Sequence, residues 1–127
     1  MSSATSSLVR LWEGADPDGK RWSFSISRDE VLGLPDWTPE EGPPPLSIAK
    51  ALELAVTAVR VSHPEVKKVI PTMIMIKSTH SCQPVARIKW FYVVQVCSSG
   101  FAVPFRAGCC VVLMNGTVVP REDEDSQ

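Results

Sequence analysis

The stretch that decides the fold runs from Leu46 to Val61 and reads LSIAKALELAVTAVRV. Its polar side chains are spaced by three, four and three residues, so on a helix they form one narrow stripe of Lys50, Glu53, Thr57 and Arg60. The rest of the surface is apolar, which predicts a helix buried on most sides. Ser47 is suited to cap the first turn, and Pro64 predicts that the helix ends just before it, because proline lacks a backbone donor.

Length and charge place limits on the organisation and on the partners. The 127 residues are enough for a single domain with one hydrophobic core, spanning residues 1–127. Thirteen basic and fourteen acidic residues leave a formal net charge of −1, which argues against nucleic acid or an anionic membrane surface as a partner. No apolar run approaches the roughly 20 residues that span a bilayer.

The amino terminus and the cysteines bear on the compartment. No signal peptide is visible, which favours the cytoplasm, although secretion stays open if a signal has been removed. Cys109 and Cys110 are adjacent, so in a strand they point to opposite faces and do not suit each other as disulfide partners. Cys82 and Cys97 have no spacing that demands a bond. We therefore expect buried, reduced thiols.

The first third of the chain predicts a β-hairpin and a connector. Strands over Leu8–Glu13 and Lys20–Ser27 flank the turn signal Asp16–Gly19, and the second strand alternates apolar and polar side chains. Ser27 and Glu30 match a capping box and predict a short helical turn. Residues 33–45 form a proline-rich connector that Trp37 pins to the body. Residues 1–7 and 121–127 are expected to be disordered.

The second half predicts strands, which gives an α+β fold. The predicted strands are Thr72–Thr79, covered on both faces, then Val85–Cys97 and Phe101–Met114, with a turn over Ser98–Gly100. Asn115-Gly116 predicts a two-residue hairpin turn. We therefore expect one long helix packed on a curved antiparallel sheet of four to six strands.

Strand alternation predicts which side chains face the helix. Ile88, Trp90, Tyr92, Val94 and Val96 share one face, which should pack against the helix. Phe91 and Val93 then point away, and parity across the Asn115-Gly116 hairpin sends Val111 and Leu113 inward and Val112 and Met114 outward. The outward set forms an apolar patch rimmed by Arg87, Lys89, Gln95 and Arg106.

Two explanations of that patch stay open. It is either an interface for a protein partner or a homodimer, or it is covered within the chain by the amino-terminal hairpin with Trp12 and Trp22. The interface hypothesis assigns binding to Phe91, Val93, Val112, Met114, Arg87 and Lys89.

Catalytic and cofactor motifs are scarce. His80 and Cys82 lack the paired spacing typical of a zinc site, and the glycines are too scattered for a phosphate-binding loop. The basic residues Lys67, Lys68, Lys77, Arg87 and Lys89 are explained by a solvated sheet face as well as by a nucleic-acid site. We therefore predict no cofactor, no metal and no catalytic residue, which favours a non-catalytic binding or regulatory module acting through a sheet face or edge.

A family resemblance agrees with this interpretation. Pro45-Leu46-Ser47, the helix with Ala51 and Ala55, and the Asn115-Gly116 turn resemble a PepSY-type domain, and more broadly the cystatin-like arrangement, over residues 45–120. PepSY domains often have an aspartate near the last turn, where this chain has asparagine. The resemblance implies peptidase regulation. The alternative is a small ligand-binding protein or enzyme with a pocket between helix and sheet, lined by Trp90 and Tyr92.

Overall fold

A computed structural model describes residues 8–16, 19–79, 88–100 and 106–123. Its helical segments are α1 (Arg28–Leu32), a 3₁₀ turn (Pro39–Glu41) and α2 (Ile48–Ser62). Its strands are β1 (Leu8–Ala15), β2 (Arg21–Ser27), β3 (Val66–Ser78), β4 (Trp90–Gly100), β5 (Arg106–Leu113), β6 (Val118–Val119) and β7 (Glu122–Asp123).

The strands form two antiparallel sheets. One has the order β1-β2-β7 and the other the order β3-β4-β5-β6. The predicted α+β class is confirmed, but the strands divide between two sheets instead of forming one. The predicted hairpin is present as β1 and β2, and β7 joins its second strand. Residues 121–123, which were expected to be disordered, therefore include a paired strand.

Helix α2 begins and ends where the sequence predicts. The Lys50 N–H donates to Ser47 Oγ at 3.1 Å, and the last helical residue is Ser62. The four residues of the polar stripe are exposed, while Ala51 and Ala55 are fully buried. The prediction of burial on most sides is wrong, because the apolar residues Ile48 and Val61 are also exposed. Among the described residues, α2 packs on the sheet through the face that carries Ala51 and Ala55.

Side chains on the two faces of the four-stranded sheet build separate hydrophobic cores. Toward α2 the buried residues are Ala51, Ala55, Val69, Tyr92, Val94, Val96, Cys110, Val112 and Met114. Toward the hairpin they are Val9, Leu11, Phe24, Ile26, Val31, Leu34, Phe91, Val93, Val111, Leu113 and Val119. The molecule therefore has three layers, in which the four-stranded sheet lies between the hairpin sheet and α2.

The register of β5 differs from the prediction. Phe91 pairs with Leu113 and Tyr92 with Val112, so Val112 and Met114 face α2, and Val111 and Leu113 face the hairpin. The predicted orientation of Val111, Val112, Leu113 and Met114 was wrong, whereas that of Tyr92, Val94 and Val96 is confirmed. Strand side chains alternate with period two, so a shift of one residue in pairing exchanges the two faces.

The β5–β6 hairpin is present, but its loop has three residues instead of two. The Leu113 N–H donates to Thr117 O at 2.8 Å, and the Gly116 N–H donates to Leu113 O at 2.9 Å. Gly116 has a φ of 91°, while no residue other than glycine has a positive φ in the described chain. The loop is therefore a turn closed by a left-handed glycine, and not the turn with two positive φ values that Asn-Gly often forms.

Two further strand boundaries were misplaced. β3 begins at Val66 instead of Thr72, and β4 continues through Ser98–Gly100, where a turn was predicted. Residues 85–87, at the start of one predicted strand, lie outside the described residues, as do residues 1–7 and 124–127. Strand β3 therefore begins earlier than predicted, and β4 ends later than predicted.

The segment between β2 and α2 behaves as predicted. The Glu30 N–H donates to Ser27 Oγ at 3.1 Å, and the Ser27 N–H donates to Glu30 Oε1 at 2.9 Å, which completes the capping box of α1. Trp37 is buried and meets Trp90 edge to face, with ring centroids 5.7 Å apart. Its Nε1–H donates to the Gly42 carbonyl at 3.1 Å, so the connector is fastened to the body.

Candidate functional site

The hairpin covers only part of the four-stranded sheet. On the hairpin side of β4, Phe91 and Val93 are buried, but Gln95 and Cys97 further along are partly exposed. Their partners on β3 are more open still: Met73, opposite Gln95, is 45% exposed, and Ile70, opposite Cys97, is 48% exposed. We call these four residues the exposed corner. It is a mostly apolar surface at the end of the sheet that the hairpin leaves uncovered.

The exposed corner includes part of an edge strand. In the order β3-β4-β5-β6 the strand β3 is outermost, and among the described residues it forms a ladder only with β4. Irregularities in the register between Val66 and Lys68 and between Pro71 and Met73 interrupt its first half, while pairing from Met73 to Ser78 is regular. The prediction that this strand is covered on both faces was wrong for Met73, because its side chain lies at the end of the sheet that the hairpin leaves uncovered.

The charges on β3 all have one sign. The strand contains Lys67, Lys68 and Lys77 and no acidic residue. Lys67 and Lys68 are exposed, and the Lys77 ammonium lies over the Trp12 ring, 5.3 Å from its centroid. The edge therefore combines an open backbone with positive charge near both ends.

A small cleft borders the exposed corner at Gln95. It has a volume of about 210 Å³ and is lined by Ala15, Asp16, Trp22, Gln95, Gly108, Cys109 and Arg121. The Arg121 guanidinium donates to Asp123 at 2.8 Å and lies 3.4 Å from an Asp16 carboxylate oxygen and 5.5 Å from the Trp22 ring centroid. The charged groups of the cleft thus pair with each other within the chain.

The thiols near the cleft favour their protonated form. Burial raises the pKa of Cys109, although a hydrogen bond with Trp12 and the charge of Arg121 act in the opposite direction. Burial and the neighbouring Cys109 raise the pKa of Cys110 to about 11. Because the thiolate is the nucleophilic form, neither cysteine is activated for covalent catalysis.

The histidines and acids of the described residues are not grouped as a metal site would require. His63 ends α2, and its Nδ1 lies 3.6 Å from a Glu65 carboxylate oxygen. Residues 8–16, 19–79, 88–100 and 106–123 contain no group of three histidine, cysteine, aspartate or glutamate side chains placed to hold a metal ion. His80 and Cys82 lie outside those residues.

The structure separates the residues that the interface hypothesis had grouped. Phe91 and Val93 are buried beneath the hairpin, and Val112 and Met114 are buried beneath α2. They are core residues on opposite faces, so the predicted exposed patch does not exist. The alternative that the hairpin covers one face is what the structure shows.

Lys89, which was predicted to lie on the exposed rim of that patch, is instead a buried residue. Its Nζ donates to Asp36 Oδ1 at 2.6 Å and to the Leu34 carbonyl at 2.8 Å. Arg87 lies outside the described residues. Sequence reasoning missed Ile70 and Met73, although Pro71 and the lysines of β3 are typical of an edge strand and were the available signal.

The alternative ligand pocket was predicted between helix and sheet, where Tyr92 and Trp90 lie in the core beneath α2. Tyr92 is fully buried, and its hydroxyl donates to the Leu46 carbonyl at 2.6 Å. Burial raises the pKa of this phenol. The Tyr92 hydroxyl is thus bonded to the main chain that leads into α2, whereas the Trp90 indole N–H is buried without a hydrogen-bond partner among the described residues.

Comparisons with protein-family models, with curated proteins and with solved structures returned no significant match for this chain. Within the described residues, every helix is too short or too polar to cross a membrane.

Proposed function

We propose that this protein is a non-catalytic binding module that adds an extended segment of a partner protein to the edge of its four-stranded sheet along β3. The observation that carries the proposal is the position of β3, a strand of thirteen residues at the sheet edge whose exposed side chains Ile70 and Met73 adjoin Gln95 and Cys97.

The physical basis is the unused hydrogen-bonding edge. An edge strand presents backbone N–H and C=O groups that an incoming strand can pair, and alternate side chains of that strand then contact the sheet face. The regular part of β3, from Met73 to Ser78, is where the ladder can continue. Pro71 cannot donate a hydrogen bond, so we expect pairing to weaken there.

The exposed corner would supply specificity. A side chain that projects from the added strand on the hairpin side would meet Ile70 and Met73, which are about half exposed and apolar. A peptidase is one class of partner that fits this proposal, because the resemblance to PepSY-type domains implies peptidase regulation. A second copy of this chain is another, and its test is the concentration dependence of sedimentation.

Selection from a displayed library of random peptides, followed by hydrogen–deuterium exchange, tests the proposal. We expect selected peptides to slow exchange of the amides between Met73 and Ser78. Met73→Asp should weaken binding of those peptides by about tenfold or more, because it places a charge in an apolar contact. Leu8→Asp is the matched control, since Leu8 is also an exposed apolar strand residue. Protection that appears elsewhere, with β3 unchanged, would contradict the proposal.

A further inference from the structure

We infer that the segment added along β3 is acidic. This inference rests on the proposed function and specifies its partner. Val66–Ser78 contains three lysines and no aspartate or glutamate, and Lys67 and Lys68 are exposed.

The lysines lie near the two ends of the strand. At about 3.3 Å per residue, Lys68 and Lys77 are roughly 30 Å apart along an extended chain. The exposed apolar residues Ile70 and Met73 lie between them. A partner strand with acidic residues near its ends and apolar residues between them would match this order, because opposite charges on neighbouring strands attract and like charges repel.

The other long edge of the molecule has a different charge pattern. β1 is the outer strand of the hairpin sheet, and it carries one base and one acid, Arg10 and Glu13, which are paired at 2.9 Å. β1 therefore has no net charge, whereas β3 contains three lysines and no acidic residue. Electrostatic attraction of an acidic strand therefore favours β3.

The chain already contains one acidic strand added to a sheet. β7 consists of Glu122 and Asp123, which pair with Ser23 and Trp22 of β2. Asp123 accepts a hydrogen bond from Arg121 at 2.8 Å. Arg121 belongs to the same segment as β7, so this strand shows ladder pairing of acidic residues at a sheet edge, whereas the base that we infer for the partner of β3 lies on the sheet itself.

Three synthetic peptides test the inference. All have valines in the middle and one variable residue near each end, which is glutamate, glutamine or lysine, and binding is measured by fluorescence anisotropy. We expect the glutamate peptide to bind about tenfold more tightly than the lysine peptide, with the glutamine peptide between them. The differences should shrink when the salt concentration rises from about 50 mM to about 500 mM, because salt screens exposed charges.

One substitution assigns the effect to β3. Lys68→Gln should weaken binding of the glutamate peptide about threefold and leave the glutamine peptide unchanged. Lys50→Gln is the matched control, since Lys50 is an exposed lysine on α2, and it should change neither. Hydrogen–deuterium exchange with each peptide reports whether the amides from Met73 to Ser78 are protected.

The outcomes separate the two proposals. If all three peptides bind equally and protect β3, strand addition holds and the acidic partner is wrong. If no peptide protects β3, the proposed function fails and the inference fails with it. A single-stranded oligonucleotide is the last ligand to compare. If it binds more tightly than the glutamate peptide and Lys68→Gln abolishes that preference, the lysines of β3 bind nucleic acid, and the inference is overturned.

Discussion

Lys89 shows how one buried charge can organise a connector. Its side chain is 6% exposed, while that of its partner Asp36 is 52% exposed. The ammonium also donates to the Leu34 carbonyl, and the Lys89 main chain bonds to Thr79 through both its N–H and its C=O. Lys89 therefore connects the segment before α2 to the end of β3 and to the start of β4.

Because only one member of the pair is buried, the two single substitutions should differ. Asp36→Asn leaves the Lys89 ammonium buried with a weaker partner and should lower the free energy of unfolding by about 3 kcal/mol. Lys89→Met leaves an aspartate that water can reach and should cost about 1–2 kcal/mol. Urea denaturation measures both, and Lys50→Met on the exposed face of α2 is the control. Equal costs, or a larger cost for Lys89→Met, would show that the burial asymmetry does not determine stability.

The raised pKa of the Cys110 thiol predicts that the protein loses stability at alkaline pH. Its pKa is raised from 9.0 to about 11 by burial and by Cys109, so above pH 9 the unfolded chain releases a proton that the folded chain retains. The contribution of Cys110 to the free energy of unfolding is fully present below pH 9. It is lost as the pH rises toward 11, which lowers the free energy of unfolding by up to about 3 kcal/mol.

Denaturant titrations between pH 8 and pH 11 measure this effect. Cys110→Ala should be less stable at pH 8, because it opens a small cavity in the core, but its stability should fall less steeply with pH. Parallel pH profiles for the two proteins would rule out the assignment to Cys110. Burial also raises the pKa of Cys109 and Tyr92, so some alkaline loss should remain in the variant.

At the scale of elements, α2 was predictable and the strand register was not. The spacing of Lys50, Glu53, Thr57 and Arg60 determines which helix face is polar, and Ser47 and Pro64 mark the ends, so all the information is local. Alternation within β4 likewise predicted that Tyr92 and Val94 face the helix.

The relative phase of two strands depends on the path of the chain between them, which alternation within each strand does not contain. For this reason Val112 and Met114 were assigned to the wrong face. The edge position of β3 is also a property of the assembled sheet. Its apolar run Met73–Ile76 looks like a central strand by composition, and this pattern outweighed the edge-strand signal of Pro71 and the lysines, so the exposed corner was not predicted.

A substitution on α2 tests the helix packing. Ala55 is fully buried, whereas Thr57, two residues later, is exposed. Ala55→Asp places an unpaired charge against the sheet and should cost about 4 kcal/mol or more, which is most of the stability of a typical domain. Thr57→Asp introduces the same side chain on the polar stripe and should change stability by less than about 1 kcal/mol. Thermal melts compare the two, and similar melting temperatures would mean that α2 does not pack through Ala55.

At the scale of the whole molecule, the four-stranded sheet belongs to two cores at once. Phe91 and Val93 contribute to the core beneath the hairpin, and Tyr92 and Val94 contribute to the core beneath α2. These residues alternate along one strand, so β4 cannot lose order on one side and keep it on the other. The hairpin and the helix should therefore unfold together, although they do not share a core.

Phe24→Ala tests this coupling from the hairpin side. Phe24 is 2% exposed in the core beneath the hairpin, and its truncation should cost about 3–5 kcal/mol through lost burial and a cavity. Leu8→Ala, at an exposed position of the same hairpin, should cost less than about 0.5 kcal/mol. In a background in which phenylalanine replaces Trp37 and Trp90, tryptophan fluorescence reports on the hairpin through Trp12 and Trp22, and far-ultraviolet circular dichroism reports on α2. Because β4 joins both cores, the two signals should change at the same lowered urea concentration in Phe24→Ala. A fluorescence change that precedes the loss of helix would show that the hairpin sheet opens separately and that the four-stranded sheet with α2 is stable without its cover.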